Sequence, residues 1–153
     1  MLLNRLILVA LILSASLSRF IPHPPNFTPI IAMGLLGGIY FNNKQLAVMV
    51  PLIAMFLSDI YIGFHGMMIW VYSSIAIIAL LSRIVKPKLL PLACASLGGS
   101  LFFFLLTNFG VWISSAYYQK SLAGLITCYV AGLPFLQNTI SGTLLYIGIL
   151  FSI

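Results

Sequence analysis

Acidic residues are almost absent from this sequence: Asp59 is the only aspartate or glutamate among 153 residues. Mechanisms that need two carboxylates, such as glycoside hydrolysis, are therefore excluded. The Walker loop of nucleotide hydrolases and the GxSxG and CxxC motifs are missing as well. We expect a protein that is not an enzyme and that binds no cofactor.

Charge of either sign is scarce, and apolar residues take its place. Charged residues make up 5% of the chain and hydrophobic residues 62%, with a mean hydropathy of +1.18. Soluble domains contain about 25% charged and about 45–50% apolar residues, so a water-soluble fold of this size cannot bury so much apolar surface. The composition predicts an all-α fold: a polytopic transmembrane bundle of about six helices with short loops, forming one domain over residues 1–153.

Neither the cysteines nor the basic residues form a recognisable site. Cys94 and Cys128 lie inside apolar segments without a ligand spacing, which favours buried small side chains over a disulfide or a metal pair. The net charge of +6 comes from seven basic residues, placed singly at the ends of apolar runs. A nucleic-acid-binding face would group them. The pattern indicates membrane topology signals and no nucleic-acid partner.

The apolar residues fall into six runs, separated by polar or proline-rich segments. The runs cover residues 2–17, 30–41, 46–62, 67–85, 89–112 and 122–153. The first run continues too far for a signal peptide, so we expect a retained membrane helix. Four prolines within residues 22–29 predict an ordered or extended loop. The last run contains Gly132 and Pro134, and it is compatible with one interrupted crossing or with two shorter ones.

Basic residues in short loops predict the orientation of the chain. With the N-terminus in the cytoplasm and six crossings, Arg19 and Lys120 lie on the outer side. The other five basic residues lie on the cytoplasmic side: Arg5, Lys44, Arg83, Lys86 and Lys88. This excess predicts a multi-pass protein of the cell's inner (plasma) membrane with a cytoplasmic N-terminus.

Asp59 follows Lys44 by 15 residues, which places it about 22 Å along the third helix, in the outer third of the membrane. An ionised carboxylate at this depth needs a partner. Arg19 is the natural one, because a guanidinium can bind a carboxylate through two parallel hydrogen bonds. The pair is equally compatible with a structural link between the first and third helices and with a ligand site.

The same topology gathers polar and aromatic side chains at the outer end of the bundle, where they would form a small-molecule pocket. The candidate ligand-binding residues are Arg19, His23, Asn26, Asp59, His65, Asn108 and Trp112. Several have simpler explanations: histidines exposed to water, a helix-bonded Asn108, or an interfacial Trp112. A metal site would require Asp59, His23 and His65 to meet, but no HxxxH or HExxH spacing supports it. We expect no metal.

Small residues recur every four positions on the first helix, at Ala10, Ser14 and Ser18. Surfaces of this kind let helix backbones approach closely in lipid. Ordinary packing within the bundle is one explanation of the spacing. The alternative is a docking face for a separate membrane partner subunit.

Several segments together resemble a family of small bacterial membrane proteins that is known only as a domain of unknown function. They are the proline-rich PHPPNFTP at residues 22–29 and pieces at residues 51–59, 63–65, 102–112, 124–129, 134–135 and 138–139. More remotely, the size and helix count are similar to those of the substrate-binding S components of energy-coupling factor transporters. That resemblance implies a ligand site on the outer face and a partner membrane subunit with two ATPases.

These features lead to two functional hypotheses. The first is a small-solute binding or transport protein, similar to an S component, with a polar pocket near the outer face. The second is a non-transporting membrane scaffold or cell-envelope assembly protein. Under the first, Asp59→Ala and Asn108→Ala weaken ligand binding; under the second, Asp59→Asn harms folding or assembly without abolishing uptake.

Overall fold

Six α-helices account for most of the chain. A computed structural model describes residues 2–152. The helices are α1 (Leu2–Leu17), α2 (Ile30–Tyr40), α3 (Lys44–Ile62), α4 (Met68–Leu81), α5 (Leu89–Ser114) and α6 (Leu122–Phe151). Single 3-10 turns, Ser18–Phe20 and Ser82–Ile84, continue α1 and α4. The described range contains no strand, and the predicted all-α bundle of about six helices is confirmed.

The last apolar run is one helix. α6 continues for 30 residues, through Pro134, so two separate helices within this stretch are excluded. Ser121 caps its first turn, because the hydroxyl accepts a hydrogen bond from the N–H of Gly124 at 3.2 Å. Asn43 caps α3 in the same way, accepting from the N–H of Gln45 at 2.7 Å.

α2 is the central helix, and nine of its eleven residues are buried. It contacts α1, α3, α4, α5 and α6. Glycines on α2 allow these neighbours to approach: a Cβ at Gly37 would lie 2.7 Å from the carbonyl oxygen of Ala47 and 2.9 Å from the ring of Pro51. At 1.5 Å per residue α2 is only about 16 Å long, which is about half the length needed to cross a bilayer's hydrocarbon core.

The proline-rich segment, residues 21–29, supplies the chain between α1 and α2. Asn26 takes a left-handed backbone conformation with φ of 63°, which Asn tolerates better than most residues. The side-chain amide of Asn138 on α6 donates to the carbonyl oxygen of Pro25 at 3.0 Å. A Cβ at Gly142 would lie 3.0 Å from the backbone nitrogen of Thr28. The segment therefore packs directly on α6.

Loops 21–29, 63–67 and 115–121 gather at one end of the bundle, called the three-loop end below. Arg19, which follows α1, contacts Asp59 near the end of α3. Cys128, near the start of α6, bonds the carbonyl oxygen of Asn108 near the end of α5. The connections after α2 and α4 lie at the opposite end, where Arg83 donates to the backbone of the α2–α3 turn.

The exterior of the bundle carries many large apolar side chains. Large aliphatic side chains point outward, among them Leu101, Leu105 and Leu133, each nearly half exposed. Three helices, α3, α5 and α6, are long and apolar enough to cross a membrane. α2 and α4 are shorter apolar helices.

Candidate functional site

A cavity of about 380 Å³ lies at the three-loop end of the bundle. Its walls come from the start of α4, the C-terminal half of α5 and the N-terminal half of α6. Each of the three loops also contributes to the lining. Volumes of this order are typical of small-molecule sites.

The α5 and α6 walls are stripes of residues that face each other. They include Phe103, Thr107 and Val111 on α5 and Cys128, Gly132 and Phe135 on α6. Side chains three or four positions apart lie on the same face of a helix. Phe103, Thr107 and Cys128 are buried, and they form the inner part of the cavity.

Asn108 lies on the inner wall, next to Gly132 of α6. Its side-chain amide donates to the carbonyl oxygen of Phe104 at 2.9 Å. Gly132 faces this side chain, and a Cβ there would meet Asn108 Oδ1 and lie 2.9 Å from the Phe104 ring. The absence of a side chain at Gly132 therefore leaves room for the Asn108 amide.

The mouth of the cavity carries polar side chains from three different loops: Asn26, His65 and Tyr118. Asn26 and His65 are exposed, and Tyr118 is partly buried. None of the three makes a side-chain hydrogen bond to another residue within the described part of the chain. These groups are therefore free to contact a molecule that enters from the three-loop end.

Asp59 forms a buried ion pair with Arg19, as the sequence predicts. Oδ1 of Asp59 lies 2.6 Å from Nη2 of Arg19, and the two side chains are 1% and 12% exposed. Tyr72 on α4 donates to Oδ2 at 2.6 Å. The guanidinium also donates to the carbonyl oxygen of Met55 at 3.2 Å and to the Ser58 hydroxyl. Oδ1 thus contacts the charged guanidinium, but no described residue donates an aligned hydrogen bond to it.

The seven predicted site residues do not form one cluster. Asn26, His65 and Asn108 line the cavity, whereas the Arg19–Asp59 pair lies outside its lining. The two others are outside the lining as well. His23 is exposed and has Nδ1 2.9 Å from the carbonyl oxygen of Pro24, and Trp112 donates to the carbonyl oxygen of Gln119 at 2.9 Å. The single predicted site is thus a cavity and a separate ion pair.

Sequence reasoning missed Thr107, Tyr118 and Cys128 as lining residues. Thr107 lies next to Asn108, and the polar pair on an apolar helix was the available signal. Tyr118 has the pattern of an interfacial aromatic residue, and Cys128 that of a small core residue. Cys128 is buried, as expected, but Cys94 is exposed, because it points away from the bundle on an apolar outer surface.

The small-residue face of α1 is only partly used for packing. Ala10 and Ser14 are exposed, and Ser18 is partly buried. The Ser18 hydroxyl donates to the carbonyl oxygen of Ala15 within the same helix at 2.7 Å. Among the described residues no group of three His, Cys, Asp or Glu side chains could hold a metal ion.

Comparison with known proteins identifies a family. Residues 2–153 match the family model described as "Family of unknown function (DUF6580)". No curated protein and no solved structure matches the chain.

Proposed function

The chain belongs to a family of unknown function (DUF6580), and we propose that it is a multi-pass membrane protein that binds a small solute for transport. The solute occupies the cavity at the three-loop end. The observation that carries this proposal is the cavity itself: about 380 Å³, with polar groups from three loops above an apolar wall. Concave sites of this composition are the usual form of small-molecule sites.

The apolar exterior supports insertion in a bilayer. α3, α5 and α6 have the length and hydropathy of membrane spans. α2 is too short to cross alone, but the proline-rich segment continues its path toward the three-loop end, where it contacts α6 at Asn138 and Gly142. Non-helical backbone is tolerated at membrane depth where protein surrounds it or where it lines a cavity, and Asn26 of this segment lines the cavity. Six crossings are therefore compatible with the shorter helices.

The distribution of basic residues supports an orientation with the cavity open to the outside. Arg19 and Lys120 lie at the three-loop end. The opposite end carries the other five basic residues: Arg5, Lys44, Arg83, Lys86 and Lys88. By the positive-inside rule that end is cytoplasmic, in the inner membrane of a bacterium. The N-terminus is then cytoplasmic too.

The test is a ligand screen on the purified full-length protein in detergent. Small metabolites, vitamins included, are scored by the rise in the temperature of unfolding, since a ligand that binds only the folded state stabilises it. Each hit is then measured against His65→Ala and against His23→Ala as the matched control. Both histidines are exposed loop residues, but only His65 lines the cavity.

We expect His65→Ala to weaken binding and His23→Ala to leave it unchanged. Asn108→Ala is expected to weaken binding more, because Asn108 lies on the inner wall. Equal effects of the two histidine substitutions would contradict the assignment of the cavity. A screen without any ligand would contradict the binding function itself.

A partner subunit is the second part of the proposal. A chain without an ATPase motif must obtain energy for transport from elsewhere, as S components do. Ala10 and Ser14 leave an exposed, small-residue surface on α1, continued by Ser18, and such surfaces favour close helix contacts in lipid. Replacing Ala10 and Ser14 with Leu should disrupt co-purification of a membrane partner with its ATPases while leaving solute binding intact.

A membrane scaffold is the second candidate function. The observation in its favour is that the only carboxylate of the chain is in a buried ion pair outside the cavity, where it joins helices and contacts no solute. Mild crosslinking followed by purification separates the two functions. Recovery of envelope-synthesis proteins instead of ATPases favours the scaffold.

A further inference from the structure

The cavity presents no fixed charge to a molecule that enters it. None of its thirteen lining residues is an Asp, Glu, Lys or Arg. Asp59, the only carboxylate side chain of the sequence, is buried against Arg19. Lys120, in the α5–α6 loop, donates to the carbonyl oxygens of Trp112 and Ser115. A charged ligand therefore finds no counter-charge in the cavity.

Each polar side chain of the inner wall already donates one hydrogen bond to a carbonyl oxygen of the protein. The Thr107 hydroxyl donates to the carbonyl oxygen of Phe103 at 2.7 Å. The Asn108 amide donates to Phe104, and the Cys128 thiol donates to the carbonyl oxygen of Asn108 at 3.4 Å. What the wall offers a ligand is mainly acceptors: the lone pairs of the Thr107 hydroxyl and of Asn108 Oδ1, beside the second N–H of the Asn108 amide.

We propose that the cavity selects an uncharged molecule with an apolar ring body and N–H or O–H groups directed at Asn108 and Thr107. This ligand class rests on the proposed binding function. The ring body lies against Phe103 and Phe135, which are part of the apolar wall. A bound ligand excludes water from the acceptors of Thr107 and Asn108. The ligand's own donors must then satisfy these acceptors, because an unsatisfied buried acceptor weakens binding.

The mouth accepts a second polar group of either kind. Asn26 carries both an amide donor and a carbonyl acceptor, and Tyr118 carries a hydroxyl that donates or accepts. His65 donates from one ring nitrogen and accepts at the other when neutral. The selection for donors is therefore made by the inner wall.

Anions are disfavoured by the inner wall. An anion would lose its hydration without meeting a positive charge. On the inner wall its oxygens would also face acceptors, whose lone pairs repel it, and only the second N–H of the Asn108 amide is left to donate.

Organic cations are disfavoured for a different reason. They would meet acceptors and the faces of Phe103 and Phe135, but no carboxylate. A contact with an aromatic ring replaces only part of the hydration that an ammonium group loses. The net charge of +6 adds a long-range repulsion.

The experiment uses probes that share one ring body and differ in charge. Tryptophol and indole-3-acetamide are neutral donors, indole-3-acetate is an anion and tryptamine is a cation. The phenyl series, phenethyl alcohol, phenylacetamide, phenylacetate and phenethylamine, repeats the comparison. Affinities are measured by equilibrium dialysis with the full-length protein. We expect the neutral donors to bind about tenfold or more tightly than either charged member, as the uncompensated desolvation implies.

Two pairs of variants test the role of the inner wall. Thr107→Val removes a hydroxyl from the cavity, and Thr127→Val is the matched control, because Thr127 makes the same bond within its own helix but is exposed. Asn108→Asp replaces Oδ1 with a carboxylate of the same shape. It should convert the preference from tryptophol to tryptamine, whereas Asn108→Ala should weaken both.

The results separate this inference from the proposed function. Charged probes that bind as tightly as the neutral ones would overturn the ligand class. The ligand class is also overturned if all neutral probes fail to bind while the broad screen finds a ligand that depends on His65. In that case the proposed binding function still holds. If neither the probes nor the broad screen yields a ligand, both the ligand class and the binding function are contradicted. An unchanged preference in Asn108→Asp would overturn the role of Asn108.

Discussion

The phenolic oxygen of Tyr72 lies 2.6 Å from Oδ2 of Asp59, while Arg19 contacts the other carboxylate oxygen. One carboxylate thus connects the end of α1, the C-terminal turns of α3 and the start of α4. Because it is the only acidic side chain in the chain, no other residue can replace it as a counter-charge for Arg19. The ion pair is therefore a polar connection shared by three helices, beside their apolar contacts.

A double-mutant cycle tests that connection. Arg19→Met and Asp59→Leu should each lower the free energy of unfolding by about 3–5 kcal/mol, because each leaves a buried charge without its partner. The double variant should be much closer to the native protein. Unfolding in mixed detergent micelles gives the three values, and a double variant as unstable as the sum of the singles would contradict the proposed pairing.

Tyr72→Phe isolates the third member of the cluster. Loss of its hydrogen bond to a charged acceptor should lower the free energy of unfolding by about 1.5–3 kcal/mol. Tyr61→Phe is the control, because Tyr61 is 82% exposed and should have almost no effect. Solute binding should persist in both variants, since neither residue lines the cavity.

Gly132→Ala should damage the cavity wall. The new methyl group would meet Asn108 Oδ1 and the Phe104 ring, and overpacking of this kind costs about 1–3 kcal/mol. Gly148→Ala on the same helix is the control, because a Cβ there has no neighbour within 4 Å. That substitution should stabilise α6 by about 0.5–1 kcal/mol. Calorimetric titration with the ligands from the screen should show weaker binding to Gly132→Ala alone.

Gly142→Ala should displace the proline-rich segment from α6. A Cβ at this position lies 3.0 Å from the backbone nitrogen of Thr28 and 3.1 Å from Cα of Phe27. We expect faster amide hydrogen exchange in residues 21–29 and weaker solute binding, because Asn26 moves with the segment. Gly148→Ala again serves as the control, and unchanged exchange in Gly142→Ala would contradict the close contact.

Cysteine labelling tests the orientation. In a background with Cys94 and Cys128 replaced by Ala, Tyr117→Cys and Lys86→Cys each introduce one exposed thiol, at the three-loop end and at the opposite end. A membrane-impermeant maleimide added to intact spheroplasts should label position 117 and spare position 86. The reverse pattern would place the cavity on the cytoplasmic side.

Most helix boundaries were predictable because polar and proline-rich segments separate the apolar runs. The Asp59–Arg19 contact was predictable for a simple reason: the chain has one carboxylate, and Arg19 is an arginine of suitable depth. The continuity of α6 through Pro134 could not be read from the sequence. Apolar helices tolerate proline when neighbouring groups compensate for the lost hydrogen bond, and those neighbours are set by the tertiary fold.

The separation between the ion pair and the cavity was not predictable. Depth along each helix places Asp59 and Asn108 at similar heights, but the direction in which each side chain points depends on helix rotation. Asp59 points toward Arg19 and Tyr72, whereas Asn108 points toward Gly132 on α6. Sequence spacing alone cannot fix that angle when most of a helix surface is apolar.

The length of α2 decides where empty space is left in this bundle. Its second residue, Ile31, lies 3.3 Å from where a Cβ on Gly99 of α5 would be, and the cavity begins one helical turn farther along α5, at Phe103. Beyond that level, toward the three-loop end, α2 is preceded by the non-helical proline-rich segment. Adding one or two turns to the start of α2 would fill the volume. The volume of the cavity thus depends on the length of one connection, the one between α1 and α2.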